Sequence, residues 1–131
     1  MTPPVLRYSP SFHEVEIALD GPAARALADV IARGEGELAA DAAADPKPYE
    51  RLLDAVRATA TPSGKVVLGL DADGRVLCVT GSPQHLAVLA DVVRDLADDP
   101  DPEGHVHIEY FDDHFYLAES EVGLVLRTVS D

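Results

Sequence analysis

The sequence contains no tryptophan, and aromatic residues make up only 5% of it. Large rings cannot carry the core, so Leu, Val, Ile and Ala must. One cysteine, Cys78, excludes an internal disulfide and points to an intracellular, cytoplasmic protein. No apolar run approaches the roughly 18 residues of a membrane-spanning helix. The start, MTPPVLRYSPSF, lacks the basic residues and apolar stretch of a secretion signal. Basic residues are also scarce: ten Lys and Arg stand against 24 Asp and Glu, a formal charge of −14. Phosphate contacts need basic patches, so this balance disfavours nucleic acid and anionic membranes as partners.

The remaining composition is that of a soluble globular chain, 47% apolar and 26% charged. A length of 131 residues suits one domain, 1–131, with one core. Residues 1–11 hold three prolines and little periodicity, which predicts a loose N-terminal arm. His13 to Leu19 alternates as a half-buried strand. Asp20 caps a helix from Gly21 to Arg33, which Gly34 ends. Glu37 to Ala40 reads as a short strand. Asp45-Pro46 predicts a helix start, and Tyr49, Leu52, Leu53 and Val56 recur at helical spacing as far as Thr59. Lys65–Leu70 and Arg75–Thr80 form a hairpin around Asp71-Ala72-Asp73-Gly74. Ser82 and Pro83 open a further helix, with Leu86, Leu89, Ala90, Val93 and Leu96 as its apolar stripe. The acidic DDPDPEG ends it. A strand centred on Val106 to Tyr110 follows, then a turn at Phe111 to His114 into Phe115–Ala118. Glu121–Val129 carries apolar residues on both sides, as interior strands do. The fold class is therefore α+β: a mainly antiparallel sheet of five to seven strands, with two or three helices packed on one face. Residues 15–31 and 76–93 share a strand, a Gly/Pro turn and a helix containing LADV, which points to two related units on one sheet.

The stretch GHVHIEYFDDHFYL, residues 104–117, concentrates the chemistry. Alternation sends Val106, Ile108 and Tyr110 to the core, and His105, His107 and Glu109 to a polar row. His114 can return towards that row from across the turn. Two histidines and a carboxylate can hold zinc or ferrous iron, which makes His105, His107 and Glu109 (or His114) a metal candidate and a small metal-dependent enzyme the alternative function. The spacing matches no defined metal motif, and a solvated sheet face explains the same residues, so no cofactor is assigned. Nucleophilic catalysis has less support. Cys78 lies mid-strand, Ser82 caps a helix, and there is no GxSxG, no Walker loop and no GxGxxG. The loop at Asp71 lacks the spacing of a calcium site. Between Arg94 and Arg127 there is no Lys or Arg, while Asp95, Asp98, Asp99, Asp101, Glu103, Glu109, Asp112, Asp113, Glu119 and Glu121 all fall in that span. Such a field favours a basic partner, although acidity also serves solubility alone.

The final third, GHVHIEYFDDHFYLAESEVGLVLRTV, and the preceding VTGSPQHLAVLADVVRDLA together resemble a bacterial immunity-protein family, number thirty-two of those in polymorphic toxin systems. The resemblance covers roughly residues 65–129. His105, His107, Glu109, Phe115, Leu117 and Ser120 match the pattern, whereas Asp112 and Asp113 stand where a Pro or Gly is expected. The resemblance implies a cytosolic, non-enzymatic protein that binds and neutralises a cognate toxin. A basic toxin domain fits the acidity, with His105, His107, Glu109, Asp112, Asp113 and His114 as candidate contacts. A regulatory or assembly domain is the remaining alternative. Oligomeric state is not legible.

Overall fold

The computed structural model describes residues 2–98 and 105–129. The acidic segment before His105, with Asp99, Asp101 and Glu103, lies outside the described residues from residue 99 on. Among the described residues, the chain runs β1 (Val5–Ser9), β2 (Glu14–Leu19), α1 (Gly21–Arg33), β3 (Glu35–Ala39), β4 (Arg51–Leu52), β5 (Ala55–Ala60), β6 (Val67–Leu70), β7 (Val76–Gly81), α2 (Pro83–Asp98), β8 (His105–Ile108) and β9 (Gly123–Thr128).

The class is α+β, with two sheets in place of the expected one. The first has the order β4-β1-β2-β9-β8 and the second β3-β5-β7-β6. Most pairings are antiparallel, but β2–β9 and β5–β7 run parallel. The second sheet arises because the chain changes sheets after each helix. β2 feeds α1, whose following strand β3 pairs with β5 beside β7. β7 feeds α2, whose following strand β8 pairs with β9 beside β2. The repeat between residues 15–31 and 76–93 thus corresponds to two strand–helix units, on two sheets rather than one. Hairpin β1–β2, α1 and β3/β5 have the same connectivity as hairpin β6–β7, α2 and β8/β9, and each half completes the other's sheet. The helices pack on one another, and each touches both sheets.

The helix ends follow their sequence signals. Asp20 accepts a 2.8 Å hydrogen bond from the Ala23 amide, and Gly34 closes α1 at φ 64°, where glycine avoids the strain a side chain would bring. Leu27, Ile31, Leu86, Leu89 and Val93 face one core with Leu6, Val15, Ile17, Leu77 and Leu126.

Two further expectations are corrected. The N-terminal arm is a strand: Leu6 and Tyr8 are buried, and β1 pairs with both β2 and β4. The prolines flank this strand and so leave its ladder intact. The helix expected from Asp45 to Thr59 does not form. Pro48 lacks an amide proton and disfavours helix at Lys47. The Asp45 carboxylate closes a local turn on the Lys47 amide, 3.0 Å away. Val56, which fitted the helical spacing, instead lies in β5 between β3 and β7. After the turn, Phe115–Ala118 contributes one isolated bridge among the described residues, Val66 to Leu117. No described helix is long and apolar enough to cross a membrane.

Candidate functional site

β8 is an edge strand, so its outer face is open. His105 and His107 are exposed there, and Glu109 continues the row past the strand end. Val106 and Ile108 turn inward as expected. Tyr110 does not: it is 41% exposed, because β8 has already ended at Ile108 and the alternation ends with it.

Register decides what the row meets. His105 lies opposite Arg127 and His107 opposite Val125, while across β9 Glu16 aligns with Val125 and Glu14 with Gly123. Glu16 is held by Arg7 at 3.1 Å and Arg127 at 3.5 Å. Glu14 accepts a 2.7 Å hydrogen bond from the Tyr49 hydroxyl. Burial first, and this bond second, raise the Tyr49 phenol above its ordinary value. Gly123 has no side chain, and Glu109 lies over the gap, its Cγ 3.1 Å from where a Cβ would stand. Glu14, His107 and Glu109 consequently bring one donor atom each within 4.8 Å of the others. Of the expected metal candidates, His107 and Glu109 belong to this group; His105 does not, and Glu14 takes its place. One histidine and two carboxylates form a hard, oxygen-rich donor set for a divalent cation.

His114 is also placed differently from the expectation. It is buried, and its Nδ1 accepts hydrogen bonds from the Tyr116 amide at 3.3 Å and the Leu117 amide at 3.1 Å. Burial, then the nearby Lys65 charge, lowers its pKa, and the neutral imidazole is the form these bonds require. His114 therefore organises the loop and is not available to a partner. Asp112 and Asp113 are exposed on that loop, and Asp113 is at φ 65°, a conformation that aspartate tolerates better than most residues. This accounts for acidic residues at a turn where Pro or Gly was expected. The Ser120 hydroxyl accepts from the Leu68 amide at 2.9 Å and donates to the Ala118 carbonyl at 2.9 Å, a structural role. Burial pushes the Cys78 thiol up, away from nucleophilic use.

Beyond the row lies an open hollow of about 400 Å³ between the β1–β2 turn and the segments flanking β9. Glu14, Glu109, Glu119 and Glu121 line it with Phe12 and Tyr110, and no Lys or Arg is among its described lining residues. Partial desolvation, then the charges of Asp112 and Glu119, raise the Tyr110 phenol. The His13 carbonyl accepts from the Gly123 amide at 2.9 Å and ties the β1–β2 turn to β9.

Among the described residues, this sheet end is an acidic, open hollow rather than an enclosed cavity. Residues 77–128, less than half of the chain, match the family model for immunity protein 32. No curated protein and no solved structure matches. The matched segment comprises β7, α2, β8 and β9, and it supplies Glu109, Glu119 and Glu121 to the hollow. Phe12 and Glu14 come from outside it. Sequence reasoning identified the polar face of β2 but not its role here, because nothing local shows that β2 runs parallel beside β9.

Proposed function

We propose that this is a non-catalytic, cytoplasmic binding protein of the immunity type, which neutralises a cognate bacterial toxin through its acidic surface. The observation that supports this reading is the match of residues 77–128 to immunity protein 32, a segment that builds the acidic sheet end. His105, His107, Glu109, Asp112 and Asp113 are the proposed contacts, and the partner is a basic toxin domain. Charge of one sign on an exposed surface raises the encounter rate with such a partner, and salt screens it. Affinity capture from the native lysate at low and high salt, with mass spectrometry, tests this. A single basic protein is expected, retained less at high salt, whose toxicity on expression is relieved by co-expression of this chain. Retention of no protein, or of one whose toxicity is unaffected, would remove the reading.

The grouping of Glu14, His107 and Glu109 favours a second reading, a divalent-metal site serving a small enzyme. It requires stoichiometric metal after purification without a histidine tag, lost on His107→Ala. Metal-free protein with unchanged folding would dismiss it.

A further inference from the structure

The chain has three phenylalanines, and none is in the core. Phe12 is 80% exposed, Phe111 61% and Phe115 70%; Tyr110 is also open, and the only other large exposed apolar residue among those described is Val67. Phenylalanine normally gains as much on burial as leucine or isoleucine, so displaying every copy forgoes a substantial apolar contribution. The exposures are also not scattered. Phe12 and Tyr110 line the same hollow, Phe111 follows Tyr110, and the His114 ring lies 4.6 Å from that of Phe111 and 5.8 Å from that of Phe115. The loop that carries them is held in place: His114 is buried beneath it, Lys65 donates to the His114 carbonyl at 2.5 Å, and the Val66 amide donates to the Tyr116 carbonyl at 2.8 Å. Aromatic side chains displayed at one hollow and on the supported loop beside it mark a docking surface, because aromatic anchors dominate the energetics of such surfaces.

Charge identifies the occupant. The hollow between these rings is lined by four glutamates, and Glu14 is engaged by a neutral tyrosine hydroxyl rather than by a cation. A planar guanidinium stacks on an aromatic face and offers five donors to surrounding carboxylates, which a compact ammonium does not match. We propose that the aromatic patch is a docking surface for a basic protein, and that the hollow beside Phe12 and Tyr110 takes one arginine side chain of that partner, its charge facing Glu14, Glu109, Glu119 and Glu121. This builds on the immunity reading and adds to it an anchor that lies partly outside the matched segment.

The test is a nuclear magnetic resonance titration of the whole chain with a blocked Gly-Arg-Gly peptide and its citrulline counterpart, which keeps the shape and removes the charge. Saturable shifts confined to residues around Phe12, Tyr110 and Glu119–Gly123 are expected. Losing the charge-assisted contacts should weaken binding about tenfold, for the citrulline peptide and for the Glu119→Gln/Glu121→Gln variant alike. Phe12→Ser should weaken binding while leaving the melting temperature unchanged, since Phe12 packs on nothing in the core. Equal binding of the two peptides, or shifts spread over the acidic surface, would overturn the proposal. So would zinc or calcium binding at Glu14, His107 and Glu109 that blocks the peptide, since the carboxylates would then belong to a metal. If the peptide fails while salt-sensitive capture of a toxin persists, the hollow is wrong and the immunity reading stands. If the peptide binds but no toxin is captured, the hollow stands without that reading.

Discussion

At the scale of single residues, two buried polar groups hold the fold together in their deprotonated forms, Asp20 as an anion and His114 as a neutral ring. The Asp20 carboxylate accepts from the first turn of α1, and that bond holds its pKa below the usual 3.8 against the opposing effect of burial. A depressed carboxylate contributes stability that is present above the unfolded value and lost as pH falls through the folded one. Asp20→Ala should therefore destabilise by about 1 kcal/mol at neutral pH, with Asp20→Ser recovering most of it, and should flatten the acid limb of stability below pH 3.8. His114 acts in the same direction at higher pH: the neutral, deprotonated form is native, and its pKa is lowered from 6.5. The unfolded chain takes up the proton first, so stability is full above pH 6.5 and declines as pH falls below it. Chemical denaturation across that range should show a shallower slope for His114→Gln. His114→Ala, which leaves two buried amides without an acceptor, should destabilise by about 2–3 kcal/mol. The sequence revealed Asp20 as a cap but not His114 as a core group. A cap is written in four neighbouring residues, whereas burial of His114 depends on Lys65 and Val66 arriving from a distant hairpin.

At the scale of elements, β2, α1, the β6–β7 hairpin, α2 and β9 lie close to where alternation and capping place them. These segments carry their own periodicity and boundaries. The failures are segments whose partners are remote. β1 looked like an arm because five residues between prolines show little pattern, and residues 45–59 looked helical because Tyr49, Leu52, Leu53 and Val56 fit the helical period, although only Val56 of these lies in β5. Gly34 illustrates how an element end is enforced twice. It needs φ 64°, and a Cβ there would stand 2.7 Å from the Ala60 Cβ of β5. Gly34→Ala should destabilise by about 1–3 kcal/mol, measured by urea denaturation, whereas Gly74→Ala in the open hairpin turn meets no neighbouring atom and should be milder.

At the scale of the whole molecule, the halves are interlocked: β3 and β5 complete a sheet begun by β6 and β7, while β8 and β9 complete one begun by β1 and β2. Neither half can satisfy its own strand edges, so we propose one cooperative domain. Thermal unfolding should give a single transition with calorimetric and van't Hoff enthalpies equal, and neither residues 1–64 nor 65–131 should fold alone. Two separable transitions would contradict this. The acidic, aromatic end is likewise a property of the whole. Phe12 and Glu14 come from the first half, and Tyr110, Glu119 and Glu121 from the second.

The sequence by itself determined the class of fold, the two helices with their caps, the central hairpin, the polar row on β8 and the overall acidity. Each of these depends on neighbours within a few residues, or on totals that folding does not alter. Only the tertiary structure decided that there are two sheets, that Glu14 rather than His105 joins His107 and Glu109, that His114 is internal, and that Phe12 and Tyr110 meet at an acidic hollow. Those outcomes depend on pairings between segments far apart in the chain, such as Glu14 beside Gly123 and Lys65 beside His114. Burial of remote surfaces fixes those pairings, and no local pattern encodes them.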